Sequence, residues 1–173
     1  MEPQKEQALH PLLLPLCVLV CGGAMIGVFR LLGKLDDSVL YGAALGCGIC
    51  KNLFLCNRQK TCFYLLTMPA HKNFRTKELS GQLGVARLSF GDEALLAEMM
   101  DLTPGSVTVM GLMNDTEHKV RLLVDSDLQK PEYFACHPMI NTSSVRFKTS
   151  DLFETLLPAL HHEPTFVELH GED

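Results

Sequence analysis

An apolar run from Leu53 to Leu66, broken only around Asn57-Arg58-Gln59-Lys60, constrains this chain more than any other stretch. Its halves, Leu53 to Cys56 and Thr61 to Thr67, read as two buried strands of a hairpin, with the polar tetrad as the connection. Lys51 and Asn52 stand just ahead of it, a cation and an amide where the first strand begins. A lysine in that place is either a solvated strand end or the anion anchor of a pocket, and the residue alone does not decide.

The remaining chain has to supply a core for that hairpin. Phe74 with Arg75-Thr76-Lys77-Glu78-Leu79 opens a helix that ends near Gly84, with Thr76 as the expected cap. Val85 to Phe90 alternates as a short strand, and Glu93 to Met100 forms a compact helix after Gly91-Asp92. Further strands are expected over Val107 to Met113, Val120 to Val124, Tyr133 to His137, Ser143 to Phe147 and Thr165 to Leu169. Thr149-Ser150-Asp151 is expected to cap a last helix, Leu152 to Leu160. The sum is an α+β fold, a single domain with a mixed, largely antiparallel sheet flanked by short helices.

The chain has 173 residues, enough to bury a sizeable core, with 47% hydrophobic and 20% charged residues. A net charge of −5 argues against sequence-independent binding along a phosphate backbone, but leaves room for a few cations gripping one nucleotide end. Seven cysteines, an odd number without the spacing of a small secreted scaffold, read as reduced thiols in a cytoplasmic protein. Pro11 to Phe29 carries no charge over 19 residues, just long enough to span a bilayer. Two prolines, three glycines and the absence of a basic flank favour a buried segment instead. Met25 to Leu35 looks helical, and Val39 to Gly48 is Gly-rich and leads into Lys51 as a loop or short helix.

Few local patterns carry chemistry by themselves. Cys47-Gly48-Ile49-Cys50 has the spacing of a redox pair or half a zinc site, but it precedes a strand and lacks a second ligand pair, so two small buried residues is the favoured reading. No phosphate-binding glycine loop and no Gly-x-Ser-x-Gly elbow is present, and Ser106 has no local base. The turn Gly105-Ser106-Val107-Thr108 could aim backbone amides at a carbonyl or developing oxyanion. His137-Pro138 ends a strand at a chain break, a common position for a site residue and equally for a hydrogen-bonded strand end.

Taken together these stretches resemble a family. Lys51-Asn52-Leu53-Phe54-Leu55, Leu83 to Phe90, Leu102-Thr103-Pro104-Gly105-Ser106-Val107, Leu112-Met113-Asn114-Asp115, and Cys136-His137-Pro138 with Asn141-Thr142 occur in the order seen in the YbaK-like aminoacyl-tRNA editing domains. The wording is most similar to the free-standing prolyl-tRNA editing proteins that deacylate Ala-tRNA(Pro). The resemblance spans about residues 49 to 169, and no one motif is specific without the others in register. It implies a trans-editing ester hydrolase acting at the 3′-terminal adenosine, without cofactor or metal, with the acceptor end of aminoacyl-tRNA as partner and prolyl-tRNA synthetase as a second. Lys51, Gly105 and His137 match the residues attributed to the reaction, the lysine against the 3′-end phosphate region. Asn52, Ser106, Val107, Thr108 and Asn141 match the substrate-binding positions.

Two departures qualify the likeness. The family loop runs Gly-x-x-x-Pro, whereas Val109 stands four positions after Gly105. Residues 1–48 do not resemble the family; the segment that helps wall the amino-acid pocket is not recognisable there, and Phe29 is the candidate remnant. The expected organisation is therefore a divergent apolar segment, 1–48, within the same domain as an editing unit at 49–173.

Overall fold

A computed structural model describes residues 45–171. The expectations for Pro11 to Phe29, for Met25 to Leu35 and for most of Val39 to Gly48 lie outside them. Strand β1 (Cys50–Cys56) and strand β2 (Phe63–Pro69) form the expected antiparallel hairpin, with Lys51 opposite Met68 and Asn52 opposite Thr67. The Asn57 side chain closes the connection by accepting from the amides of Thr61 and Cys62 at 2.8 and 3.1 Å. Strand β3 (Ser89–Phe90) joins β1 antiparallel, while β4 (Val120–Asp125) runs parallel to β2 and the last strand, β7 (Thr165–Val167), parallel to β4. The sheet order is β3-β1-β2-β4-β7. A separate antiparallel pair, β5 (Tyr133–Cys136) and β6 (Val145–Lys148), lies apart from it. The fold is α+β as expected: the main sheet is mixed, with two of its four pairings antiparallel, and the separate β5–β6 pair makes three of five antiparallel overall.

The core divides at the hairpin. Alternation along β1 sends Cys50, Asn52, Phe54 and Cys56 to one face and Lys51, Leu53 and Leu55 to the other. The first face meets helix α2 (Glu93–Met100), the β5–β6 pair and the last helix in a cluster that includes Phe54, Leu65, Leu96, Leu122, Phe134 and Leu156. The second meets helix α1 (Thr76–Leu83), burying Leu55, Leu66, Leu79 and Leu123. Helix α2 begins where expected because the Asp92 carboxylate accepts from the Leu95 amide at 2.9 Å, satisfying an orphan donor of the first turn.

Several elements differ from expectation for local reasons. Val107 to Met113 is not a strand: Val109–Met113 is a 3₁₀ helix with Thr108 at its N-cap. Gly111 faces Leu102 and Met100 so closely that a Cβ would fall 2.5 Å from Leu102 Cδ1, and packing against the first core replaces strand pairing. The strand expected from Val85 shrinks to two residues because the Val85 and Leu88 amides are spent on Ser80, closing the end of α1. Thr76 does not cap α1; its hydroxyl accepts from Arg87 Nε at 3.3 Å instead. The last helix, α3 (149–159), starts three residues early, at Thr149, whose hydroxyl donates to the Pro131 carbonyl at 2.6 Å rather than capping. Its middle turn, Leu152–Leu156, has π spacing.

Candidate functional site

The sequence-predicted residues gather at one end of the sheet, where β1 begins and β2 and β4 end, but they divide between its two faces. On the first face, Thr67 donates across the hairpin to Asn52 Oδ1 at 2.8 Å, and the Asn52 amide points to Cys50 Sγ at 3.8 Å. Cys50 in turn donates to the Ala135 carbonyl at 3.1 Å, tying the start of β1 to the end of β5. The next residue, Cys136, is buried and hydrogen-bonds the buried Thr108. Burial pushes the Cys136 thiol up to about 12 and the Cys50 thiol well above its ordinary value, so both are protonated packing groups and not nucleophiles. Cys47 is raised too, again by burial.

Leu102 to Thr108 forms the turn that the sequence singled out. Pro104 and Gly105 occupy its centre, the Ser106 amide returns to the Thr103 carbonyl at 3.0 Å, and Gly105 sits at φ 87°. A positive φ at the third turn position is where glycine carries no steric cost. Ser106 is buried, and its hydroxyl donates to the Thr103 carbonyl at 2.8 Å, which removes it as a nucleophile. The Ser106 amide is committed, whereas the amides of Val107 and Thr108 donate to no partner among the described residues. Val107 packs part-buried against the first core.

The loop between β5 and β6, residues 137–144, closes over this turn. A Cβ on Gly105 would stand 3.5 Å from Asn141 Nδ2, so Gly105 and Asn141 are neighbours. His137 Nδ1 lies 2.8 Å from the Ser143 carbonyl. A carbonyl only accepts, so Nδ1 carries the proton in this contact and Nε2 is the ring nitrogen left to face other partners. Met139 holds φ 66° between them, a conformation that costs a side-chain-bearing residue about 1–2 kcal/mol and that persists only where surroundings enforce it.

Lys51 emerges on the opposite face. Its ammonium donates to the Lys72 carbonyl, and partial burial lowers its pKa. Lys72 bridges the carboxylate of Asp125 at 2.8 Å and that of Asp127 at 2.6 Å. Burial works against the Lys72 charge, but the hydrogen bonds to Asp125 and Asp127 outweigh it and its pKa rises. Asp127 is drawn down to about 2, first by Lys130 and then by Lys72. Asp125 is fully buried at the end of β4, and its Oδ1 also caps the following turn through the Asp127 amide at 2.9 Å. No motif marks Asp125, Ser126 or Asp127 as site residues; the usable signal is a carboxylate closing an apolar strand, which needs a partner if buried. Thr67, Cys136 and Ser143 carried no such signal.

Among the described residues no three His, Cys, Asp or Glu side chains are placed to hold a metal, and no helix is long and apolar enough to cross a membrane. The five described cysteines are free.

Comparison with known proteins supplies the context for this geometry. The aminoacyl-tRNA editing domain family matches residues 44–155. A prolyl-tRNA synthetase associated domain-containing protein 1 of Danio rerio is 31% identical over 115 residues, 65% of this chain and 62% of that protein. The prolyl-tRNA editing protein ProX of Acetoanaerobium sticklandii is 32% identical over 104 residues, 60% of this chain and 63% of that protein. The chain thus spans less than two thirds of either relative's length. A solved structure described as a proposed trans-editing enzyme for prolyl-tRNA synthetase shares the fold, with a TM-score of 0.58 over 77% of this chain and 78% of that one at 14% identity.

Proposed function

The chain belongs to the aminoacyl-tRNA editing domain family, and from that premise we propose that it hydrolyses the ester joining a mischarged small amino acid to the 3′-terminal adenosine of tRNA(Pro). Alanine is the amino acid removed in this reading, and the acceptor end of the tRNA is what the protein grips. Prolyl-tRNA synthetase is the second partner, as the source of the mischarged product, and the work is done in the cytoplasm. The observation that supports it most is the approach of Asn141 to Gly105 beside the two uncommitted amides of Val107 and Thr108.

An aminoacyl ester is already activated, so holding it and stabilising the developing oxyanion suffice without a protein nucleophile. The uncommitted Val107 amide is suited to the carbonyl oxygen, while Asn52, Asn141 and the Nε2 of His137 offer polar partners to the amino acid, the ribose and an attacking water. Lys51 supplies positive charge at the sheet end, where the 3′ phosphate would lie. Editing is required because a pocket built for proline cannot reject a smaller side chain strongly; missing methylenes are worth only ~1–3 kcal/mol.

One feature favours a second reading, a non-catalytic tRNA- or synthetase-binding homologue that has lost hydrolysis: Val109, buried at the head of the 3₁₀ helix, stands where the family pattern has proline. Catalytic amounts of the protein added to Ala-tRNA(Pro) discriminate the two. Release of alanine above the spontaneous rate is expected, and binding without release supports the second reading. Lys51→Ala is expected to slow release about 100-fold while leaving thermal unfolding nearly unchanged. If that variant unfolds while its soluble fraction keeps full specific activity, Lys51 has no part in the reaction.

A further inference from the structure

Lys51 stands near the start of β1 and Asp125 closes β4, with β2 between them in the sheet. Both side chains lie on one face, since Lys51 is opposite Met68 and Asp125 opposite Val167, and those two residues pack in the α1-side core. Two strand spacings, about 10 Å, separate the two backbones. The turn after β2 fills that gap. Lys72 sends its ammonium to the Asp125 carboxylate at 2.8 Å and to Asp127 at 2.6 Å, while its carbonyl accepts from the Lys51 ammonium. Backbone bonds fix the same turn. The Ala70 amide donates to the Ile49 carbonyl at 3.3 Å, just ahead of Lys51, and the Lys72 amide donates to the Pro69 carbonyl at 3.2 Å. Gly171 backs it so closely that a Cβ there would fall 2.9 Å from the Asn73 amide nitrogen. The charges also balance. Lys72 and Lys130, which reaches Asp127 at 2.5 Å, match the two carboxylates, so Lys51 is left without an acidic partner among the described residues.

We propose that Lys72 is a positioning residue for Lys51: clamped by Asp125 and Asp127, it presents the carbonyl that aims the Lys51 ammonium, and it neutralises two acids that would otherwise compete for that ammonium, leaving Lys51 free for the phosphate of the terminal nucleotide. The inference rests on the deacylase reading for that phosphate. A carbonyl takes one of the three ammonium hydrogens and leaves two for a ligand. An ammonium on a flexible four-carbon stem samples many rotamers, and fixing it beforehand removes that ordering cost from binding. Removing Lys72 alone would leave Asp125 buried without a cation, which destabilises a fold whatever the ligand. Replacing both partners, Lys72→Met with Asp125→Asn, takes away the clamp without that penalty, and the side-chain oxygen at position 125 still accepts from the Asp127 amide.

NMR titrations of the full chain with AMP and with adenosine, which carry and lack that phosphate, test this independently of hydrolysis. The wild type is expected to bind AMP more tightly than adenosine. The double variant Lys72→Met/Asp125→Asn is expected to weaken AMP binding about tenfold, the size of one charge-assisted hydrogen bond, and to leave adenosine unchanged. Lys72→Arg, which keeps a cation between the two acids, is expected to retain most of the AMP affinity. Combined with Lys51→Ala, the double variant should cost nothing beyond Lys51→Ala itself, because Lys72 acts through Lys51. A folded double variant with wild-type AMP affinity overturns the clamp, as does an equal loss for adenosine, a further loss in the Lys51→Ala background, or a wild type that does not prefer AMP. Clamp-dependent AMP binding without release of alanine from Ala-tRNA(Pro) would remove the deacylase reading alone, whereas release of alanine with clamp-independent AMP binding would remove the clamp alone.

Discussion

The two faces of the β1–β2 hairpin differ in depth. Toward α2, α3 and the β5–β6 pair, the described residues form a core of twenty buried side chains; toward α1, nine. The deep face carries the Gly105 turn and the 137–144 loop, two irregular segments of which one holds a left-handed methionine. The shallow face carries Lys51, the Lys72–Asp125–Asp127 cluster and the Phe74–Phe90 pair. The two faces suit different kinds of recognition. A small amino-acid pocket needs loops held rigidly from behind, which only a thick core provides. A charged group at the rim needs only a cation in reach of solvent, and it asks little of the core beneath.

Adjacent leucines on β2 test the comparison most severely. Leu65 is fully buried in the deep core and Leu66 fully buried in the shallow one. Leu65→Ala should cost about 4 kcal/mol and Leu66→Ala about 3, measured by denaturant unfolding, because the site with more surrounding side chains collapses less around the cavity. Equal losses, or the reverse order, would mean that the two cores do not differ in packing as their composition implies.

A smaller effect comes from the far side of the deep core. His162 is buried, its Nε2 has no hydrogen bond among the described residues, Asp115 Oδ2 lies 3.7 Å away, and the His118 ring packs against it. Burial, ahead of the opposing pull of Asp115 and with a further push from His118, holds its pKa below the ordinary value. The unfolded chain therefore takes up this proton first as pH falls. The contribution of neutral His162 to stability is complete above about pH 6.5 and is lost as pH falls toward the lower folded value. Unfolding midpoints should decline as pH falls below about 6.5, and His162→Gln should flatten that decline; an unchanged slope would place the dependence on another group.

Much of this arrangement was legible in the sequence because it depends on local rules. The hairpin followed from the apolar run and its polar break, helix α2 from Asp92 ahead of Glu93, and the turn at Gly105 from Pro104-Gly105. What could not be read were outcomes of competition between distant groups. Val107 to Met113 has strand-like composition, yet Gly111 allows it to pack on Leu102 and Met100 as a 3₁₀ helix. Ser80 claims the backbone of Val85 and Leu88, shortening β3. Lys51 and Asn52 are neighbours in the motif, and only the strand's alternation separates them onto opposite faces. Their relation to Lys72 and Thr67 required the register, since both partners lie on β2 or beyond it.

Selective hydrolysis of a small aminoacyl ester is open to one direct assay. Initial deacylation rates measured side by side on Ala-, Cys-, Ser- and Pro-tRNA(Pro) should show alanine released fastest and proline left intact, with the cognate ester excluded by size. Hydrolysis of Pro-tRNA(Pro) at the alanine rate, or no release from any of the four above the spontaneous rate, would contradict it.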